Sequence, residues 1–351
     1  MKKKTRAAVS LALFFCLSAV LFAVAQLLLV PHDRAANPEA FLMYDYIESD
    51  VSRDEVVFLG DCEIYEGFSP VTLWREYGIE SRVVGTPGQL MSHSYAALCE
   101  VLRRSSPRVV VLGVYGLVNG EPTVEAYNRM ALDALPHTRT KWEVVHASVT
   151  EGEMALSYAL PLLRYHDRWS ELTLRDVTAL FEKQQPVSFR GYLVQTGVVS
   201  AAGRLPDREG ALPPDEHAFG ELALDYFDRI VSLCREKGVE LVLVKAPTDS
   251  WRYPWHDEYE TATQALAEQY GLPYYNFLND FENIGLDMTT DTYDAGLHLN
   301  VSGAEKLSVW FGRILKENYM LTDTREDDTL AAVWQREIAR YERMKGEGSE
   351  P

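Results

Sequence analysis

The stretch VVFLGDCEIYEGFSP, residues 56–70, joins a short apolar run to a polar loop that carries one cysteine. Residues 56–59 have the length and composition of a strand that is buried on both faces, which is typical of parallel sheets. A glycine ends the run, and Cys62 follows in the loop. Ser69 and Pro70 then suit the N-cap and the first position of a helix. The stretch therefore predicts a strand, a loop with Cys62 and a helix, in that order.

The alternation of strand and helix patterns continues on both sides of residues 117–217. Further strands are predicted at 81–85, 108–117, 239–247 and 272–278, and further helices at 89–105, 218–238, 257–271 and 300–319. Repeated strand–helix units predict a three-layer α/β/α fold, in which helices cover both faces of a mostly parallel sheet. Ligands of such sheets bind beyond the carboxyl ends of the strands. Cys62, just past the first strand, is expected at that edge.

The N-terminus has the pattern of a membrane anchor. MKKKTR carries four positive charges, and residues 7–30 contain no charged side chain. As a helix this apolar stretch would span about 36 Å, which is enough to cross a bilayer. The alternatives are a cleaved signal peptide, suggested by AVAQ at 23–26, and a buried core helix; the first is usually shorter, and the second would not be apolar on every face. We therefore predict a single-pass, uncleaved anchor in the cell membrane, with the lysines in the cytoplasm and the C-terminal domain outside.

The charge balance argues against nucleic acid as a partner. The chain has 34 Lys and Arg against 52 Asp and Glu, and four of the basic residues belong to MKKKTR. The remainder is strongly acidic and shows no cluster of basic residues, which binding to a phosphate backbone requires.

Three cysteines lie outside the predicted anchor, and an odd number leaves at least one without an intramolecular partner. Cys99 and Cys234 sit in helical patterns and are expected to be small buried residues. Cys62 differs from both because it lies at the edge of a loop.

These patterns divide the chain into four parts. Residues 1–30 are the predicted anchor, and 31–54 are a linker and entry segment. Residues 55–319 form the α/β domain, in which 117–217 is an insertion of helices and loops. Residues 320–351 are a charged tail that could be helical, either as a surface helix or as a contact for a partner.

A second candidate for chemistry lies near the other end of the domain. TYDAGLHLNVSGAEKLS (292–308) places Asp294 four residues before His298, in a loop ahead of the last helix. That spacing lets the carboxylate orient the imidazole, and a parallel sheet would bring the loop to the edge that carries Cys62. The expected roles are Cys62 as nucleophile, His298 as base and Asp294 as the group that fixes the tautomer. The alternatives are a small residue packed at a strand end and a histidine packed against the last helix.

No metal or cofactor is expected from the sequence. In WHDEYE at 255–260 the three candidate ligands, His256, Asp257 and Glu258, are adjacent. Adjacent residues do not share a helix face, so they cannot converge on one ion.

These segments resemble the sequence blocks of the SGNH/GDSL hydrolase superfamily. FLGDCE is similar to the first block, whose usual form is Gly-Asp-Ser, and DAGLHLNVSGAEKLS (294–308) is similar to the last, Asp-x-x-His followed by a helix. VVGTPGQ (83–89) stands in the place of the second block. The resemblance covers 55–117 and 218–319. It implies a flavodoxin-like SGNH fold, acyl chemistry, and an oxyanion hole to which Gly85 gives its amide.

Two features depart from the usual pattern of that superfamily. Cys62 stands where the serine nucleophile is expected. The third block usually brings an asparagine after the third strand, but LGVYGLVNG has Tyr115 near that position, and Asn119 and Asn128 are the nearest substitutes. The oxyanion hole would then depend mainly on the amides of Cys62 and Gly85.

Two aromatic segments could bind a sugar. DSWRYPWHDEY (249–259) follows a strand, so Trp251 could line a glycan cleft at the active edge. In LRYHDRWSEL (163–172), Trp169 could stack on a sugar while Arg168 pairs with an anion. The alternative for the second segment is an amphipathic helix anchored by its tryptophan.

The anchor, the core and the helical insertion together resemble a narrower group, the exported SGNH proteins that act with polytopic membrane-bound O-acyltransferases. That resemblance implies a bacterial cell-envelope protein, with an O-acyltransferase and a surface polysaccharide or teichoic-acid-like polymer as partners. The predicted function is acyl transfer or ester hydrolysis on a cell-surface glycan, through a thioester at Cys62 that keeps the acyl group activated. The alternative is a catalytically inactive SGNH-like scaffold that binds a surface polysaccharide or a membrane acyltransferase.

Overall fold

The computed structural model consists of two compact units. Unit 1 comprises Met1–Asn37 and Glu151–Gln185, and unit 2 comprises Pro38–Thr150 and Pro186–Pro351. The segment predicted as a single insertion is therefore divided between the two units. The residues that the structure describes are 2–118, 120, 122, 124–182, 184–202, 219–248 and 256–347.

Unit 2 is built on a five-stranded sheet in the order β2-β1-β3-β4-β5, and every neighbouring pair is parallel. The strands are β1 (Val56–Gly60), β2 (Ser81–Gly85), β3 (Val109–Gly113), β4 (Glu240–Lys245) and β5 (Tyr274–Asn276). This is the flavodoxin-like strand order, whose topological switch point lies between β1 and β3. It confirms the predicted α/β fold with a parallel sheet. The first three strands are buried along their whole length, as the apolar sequences of β1 and β3 predict.

Helices surround the sheet and make up unit 1. In chain order they are α1 (Lys2–Leu29), α2 (Leu42–Glu48), α3 (Cys62–Tyr65), α4 (Pro70–Tyr77), α5 (Met91–Arg104), α6 (Tyr115–Val118), α7 (Glu125–Leu132), α8 (Arg139–Ser148), α9 (Leu162–Tyr165), α10 (Leu174–Ala179), α11 (Glu221–Lys237), α12 (His256–Tyr270), α13 (Phe281–Ile284), α14 (Val301–Asn318) and α15 (Asp328–Glu347). Of these, α1, α9 and α10 belong to unit 1. Helices α7 and α8 pack on α5, so this part of the predicted insertion extends the core of unit 2.

Local sequence signals set two of the helix starts that matter for the site. The Ser69 hydroxyl accepts a hydrogen bond from the backbone nitrogen of Thr72 at 3.2 Å, and Pro70 takes the first helical position of α4. The Asn300 side chain accepts from the backbone nitrogen of Ser302 at 3.0 Å and so caps α14. Both caps satisfy backbone donors that a helix cannot pair internally.

Phenylalanine rings fill the layer between the sheet and helices α4 and α14. The ring of Phe58 in β1 stacks on Phe68 with 4.8 Å between centroids, and Phe68 meets Phe311 of α14 at 5.6 Å. Val57 and Leu59 point to the opposite face of the sheet, where α5 packs on β1 and α11 packs on β4. These contacts give the predicted three-layer arrangement.

Helix α15 closes the domain with an aromatic contact. Trp334 and Tyr341 are fully buried, and the Trp334 ring stacks on Trp74 of α4 at 5.4 Å between centroids. The Trp334 indole nitrogen also donates to the buried carboxylate of Glu80. Helix α15 lies in the segment that the sequence analysis described as a charged tail. Because one face of the helix is buried, this segment is part of the core of unit 2.

Helix α1 is, among the described residues, the one element long and apolar enough to span a membrane. Its apolar part, Thr5–Leu29, is 25 residues long, and the large side chains from Val9 to Leu27 are exposed. A helix of that length exceeds the roughly 30 Å of a bilayer's hydrocarbon core. The side of the membrane on which unit 2 lies stays a prediction.

Replacing Trp334 by alanine is expected to lower the free energy of unfolding by about 3–5 kcal/mol, because it leaves a cavity beside Trp74 and removes one hydrogen bond from the buried carboxylate of Glu80, which keeps its ion pair with Arg190. Urea unfolding of the detergent-solubilised full-length chain, followed by far-UV circular dichroism, would measure the change. Met344→Ala, at an exposed position of the same helix, should alter it by less than about 0.5 kcal/mol. Equal midpoints for the two variants would contradict this account of α15.

Candidate active site

Three adjacent strands end in glycine at the same edge of the sheet, and helix α3 lies directly on them. A Cβ added at Gly60 or Gly113 would lie 2.4 or 2.5 Å from Cγ1 of Ile64. A Cβ added at Gly85 would lie 2.6 Å from the carbonyl oxygen of Gly60 and 3.1 Å from Cβ of Tyr65. We call these three residues the glycine floor. Any side chain there would push α3 away from the sheet.

Cys62 is the first residue of α3, so the glycine floor sets the position of its sulfur. The Sγ atom lies 2.9 Å from Nε2 of His298, a residue 236 positions further along the chain. The other ring nitrogen of His298, Nδ1, lies 2.7 Å from Oδ2 of Asp294. The structure therefore brings the three predicted catalytic residues together, in the order thiol, imidazole, carboxylate. A proton on Nδ1 would be held by Asp294, which leaves Nε2 to accept the proton of the thiol.

The loop that carries the imidazole is held by its own hydrogen bonds and by β4. Oδ1 of Asp294 accepts from the backbone nitrogens of Leu297 at 3.1 Å and His298 at 2.8 Å. The hydroxyl of Thr248, three residues past the end of β4, donates to the carbonyls of Gly296 and Leu297 at 3.1 and 2.9 Å. One carboxylate thus both shapes the turn and orients the ring.

A second carboxylate, missed in the sequence, faces the same imidazole. Oε2 of Glu66 lies 3.8 Å from Nδ1 of His298, and the side chain is 1% exposed. It accepts hydrogen bonds from the hydroxyl of Tyr293 at 3.0 Å and the amide of Gln195 at 2.9 Å. Burial raises the pKa of Glu66 to about 7. Glu66 could have been found in the sequence, because residues four apart share a helix face and Glu66 is four residues after Cys62. The sequence around Gln195 contains no comparable signal.

A buried ion pair lies next to Cys62 in the chain, at Glu63. Nζ of Lys245, at the end of β4, lies 2.5 Å from Oε1 of Glu63, and the two side chains are 4% and 9% exposed. The same Nζ is 6.0 Å from the ring centroid of Tyr115, the residue near the expected third-block asparagine. Lys245 was also missed in the sequence. A lysine that ends an apolar parallel strand is the signal that pointed to it, because that end of the strand faces the site.

Burial and nearby carboxylates set the pKa values of Cys62 and His298. Burial, and then the negative charges of Asp61 and Glu66, raise the pKa of the Cys62 thiol well above its ordinary value. Burial lowers the pKa of His298, but the hydrogen bond to Asp294 and the charge of Glu66 outweigh it and bring this pKa to about 9. The site therefore favours a protonated thiol beside an imidazole of raised basicity, and disfavours a preformed thiolate.

The remaining predicted site residues have different outcomes. Gly85 lies in the glycine floor, and a role of its amide in an oxyanion hole stays a prediction. Asn128 is buried in α7, where its amide donates to the carbonyl of Ser148 at 2.5 Å and bonds His93, whose pKa burial lowers to about 3. Asn119 and Trp251 lie outside the described residues.

Within the part of the chain that the structure describes, no group of three or more His, Cys, Asp or Glu side chains is arranged to hold a metal ion. All four cysteines are free thiols.

Comparison with known proteins gives only distant likenesses. No family model matches the chain, and no curated protein matches it. Solved structures that resemble it include a candidate acylhydrolase from Bacteroides fragilis, with a TM-score of 0.37, 11% identity, and coverage of 81% of this chain and 97% of the other. A GDSL-like lipase from Bacteroides thetaiotaomicron has a TM-score of 0.35, 11% identity, and coverage of 81% and 99%. Likenesses this weak assign neither family nor activity.

Replacing Glu66 by glutamine is expected to move the pH dependence of Cys62 alkylation to lower pH by about one pH unit, since one buried negative charge near the thiol is lost. Iodoacetamide labelling at a series of pH values, read by peptide mass spectrometry, would measure the midpoint. Glu76→Gln, at an exposed carboxylate, is the control and should leave the midpoint in place. An unchanged or higher midpoint in the Glu66 variant would show that this charge does not act on the pair.

Replacing Lys245 by methionine is expected to lower the free energy of unfolding by about 3–5 kcal/mol, because the carboxylate of Glu63 stays buried without its ammonium partner. Adding Glu63→Gln to that variant should recover most of the loss, since no unpaired charge then remains. Lys237→Met, which removes an exposed lysine, serves as control and should change little. Denaturant unfolding that finds the single and double variants equally stable would rule out the buried pair as the cause.

Proposed function

We propose that this protein is an ester hydrolase or acyltransferase that works through an acyl-thioester at Cys62. The observation that carries the proposal is the contact of 2.9 Å between Sγ of Cys62 and Nε2 of His298, with Asp294 2.7 Å behind the ring. The pair lies beyond β1, beside the switch point where flavodoxin-like sheets bind their ligands. Nucleophile, base and orienting carboxylate within hydrogen-bond reach are the parts that covalent acyl transfer needs.

In the first half-reaction, Sγ attacks the carbonyl carbon of the ester while Nε2 of His298 takes the thiol proton. A carbon–sulfur bond forms, and the carbonyl electrons move to oxygen as an oxyanion. When they return, the carbon–oxygen bond of the ester breaks and His298 gives its proton to the leaving alkoxide. The product is an acyl group held as a thioester on Cys62 and a free alcohol.

In the second half-reaction, a water molecule or the hydroxyl of an acceptor attacks the thioester. His298 takes the proton of that oxygen nucleophile, the carbon–sulfur bond breaks, and the sulfur recovers a proton from the imidazolium. Water gives a carboxylic acid, and an acceptor hydroxyl gives a new ester. The resemblance of the second block implies that the amides of Cys62 and Gly85 stabilise both oxyanions.

The charges around the pair favour general-base activation of a neutral thiol. Asp61, Glu63 and Glu66 oppose a negative charge on sulfur, so a standing thiolate is disfavoured at neutral pH. The hydrogen bond to Asp294 and the charges of Glu66 and Glu63 raise the pKa of His298 against the effect of burial, and the imidazole then removes the proton as the sulfur attacks. We expect turnover to increase with pH up to about 9, because the base must be unprotonated to start.

The finer parts of the proposal concern place and substrate. A membrane-spanning α1 would tether the enzyme, and the lysines at its start favour a catalytic domain outside the cytoplasm. The resemblance to exported SGNH proteins supports a cell-surface glycan as acceptor and a polytopic O-acyltransferase as donor. A thioester suits such a relay, since it keeps the acyl group reactive between the two partners.

The second candidate is a scaffold that binds acyl or glycan groups without turnover. The raised pKa of the Cys62 thiol favours it, since a thiol that resists ionisation is a weak nucleophile unless a base assists it. The two functions differ in whether Cys62 forms a covalent acyl bond that depends on His298.

Incubation of the full-length protein with an activated ester, such as a p-nitrophenyl ester, is expected to acylate Cys62, and peptide mass spectrometry would locate the label. His298→Ala should slow this acylation by at least about a hundredfold, because no base then takes the thiol proton. Cys99, a half-buried thiol in the same sample, is the internal control, and its labelling should not depend on His298.

Two results would count against the enzyme. Labelling of Cys62 that proceeds equally fast in the His298→Ala variant would mark it as a merely accessible thiol. No acylation in a folded protein whose Cys62 still reacts with iodoacetamide would favour the scaffold.

A further inference from the structure

Unit 1 exposes a dense set of large apolar side chains outside α1. They lie within residues 151–182, and the most exposed are Phe181 at 85%, Leu174 at 84% and Trp169 at 73%. The full set, here called the apolar patch, is Met154, Leu156, Leu163, Trp169, Leu172, Leu174, Val177 and Phe181. Dense exposure of large apolar side chains in one segment of a folded unit points to a contact surface.

The rest of the chain shows that this density is unusual. The described part of unit 2 is several times longer than the segment, yet it also exposes eight large apolar side chains. These are Val124, Tyr127, Val198, Val199, Leu297, Val309, Met320 and Met344. The apolar patch therefore differs from the scattered apolar exposure that any folded surface carries.

The spacing of three patch residues puts them on one side of their segment. Leu174, Val177 and Phe181 are three and four residues apart, so they share one face of α10 and its continuation. On the other side, the capping carboxylate of Asp176 accepts from Arg168 at 2.8 Å. The Arg168 guanidinium, which the sequence analysis considered as a partner for an anionic sugar, is thus already paired within unit 1.

The segment that carries the patch is tied to the end of α1. The backbone nitrogen of Leu162 donates to the side-chain oxygen of Gln26 at 2.5 Å, and Arg168 donates to the carbonyl of Leu29 at 2.6 Å. Leu29 itself is only 6% exposed, whereas the large side chains up to Leu27 are exposed. About 20 residues cross the hydrocarbon core, so a helix that enters near residue 7 leaves it near Gln26. The patch is therefore anchored at the level where α1 would emerge from the bilayer.

We propose that the apolar patch lies in the headgroup region of the membrane that α1 spans, with Trp169, Leu174 and Phe181 inserted among the lipids. Monotopic segments bind at this depth through apolar and aromatic side chains on one face of a helix. Tryptophan is enriched in the headgroup region. Residues 151–182 contain three arginines against six aspartates and glutamates. Binding therefore comes from apolar burial and requires no anionic lipid.

Depth-dependent quenching in vesicles tests this proposal with the full-length chain. The protein is reconstituted into phosphatidylcholine vesicles that contain lipids brominated near the headgroup end of the acyl chains. The emission of Trp169 is taken as the difference between the wild type and Trp169→Phe. Brominated lipid is expected to reduce that emission at least about twofold, whereas aqueous iodide should have little effect. Adding phosphatidylglycerol should not change either result.

Charged substitutions on the patch give a matched comparison. Leu174→Glu combined with Phe181→Glu should lift the patch from the lipid, so that iodide quenches Trp169 and brominated lipid no longer does. Met320→Glu, at an equally exposed residue of unit 2, should leave the quenching as in the wild type. Quenching of wild-type Trp169 by iodide and not by lipid would overturn the proposal. Protection from both quenchers that appears only in native membranes would also overturn it, since a protein would then cover the patch.

Discussion

The close approach of α3 to the sheet is the constraint on which the site depends. Gly60, Gly85 and Gly113 end three neighbouring strands without side chains, and the space is taken by Ile64 and Tyr65. Because α3 begins at Cys62, the position of this helix on the sheet decides whether the thiol reaches the imidazole of His298. A parallel sheet supplies the edge, and the absence of three Cβ atoms lets a one-turn helix rest on it. The geometry of the thiol and imidazole therefore originates in backbone packing.

Negative charge is the second organising feature of the site. Asp294, Glu66, Glu63 and Asp61 lie close to the thiol and imidazole, and Lys245 is held by Glu63. Such surroundings stabilise an imidazolium and destabilise a thiolate. In the proposed reaction the proton is therefore removed during the attack of the sulfur, as in a serine hydrolase, and no standing thiolate is required. Sulfur would then contribute mainly the higher reactivity of a thioester in the second step.

The features that the sequence predicted are local or strongly periodic. The strand ahead of Cys62, the spacing of Asp294 and His298 and the helix caps could each be seen within a few residues, and a parallel sheet follows from repeated strand–helix units. The pairing of Glu63 with Lys245 and that of Glu66 with Gln195 could not be predicted from local sequence, because the partners are 182 and 129 residues apart. The buried face of α15 was hidden for another reason. The helix is rich in charged residues, and the few apolar ones that pack, Trp334 and Tyr341 with Leu330, Ala331 and Ile338, are spread over several turns.

The stacking of Trp334 on Trp74 has a consequence for the order of folding. These residues are joined by a contact that spans most of the domain, and Trp334 also bonds Glu80 from 254 positions away. During synthesis, which starts at the N-terminus, the surface of α4 that packs on α15 stays exposed until α15 has been made. Contacts this distant in sequence close slowly and expose apolar surface in the meantime. The newly made protein would therefore depend on chaperones, or be open to proteolysis, until its final helix docks.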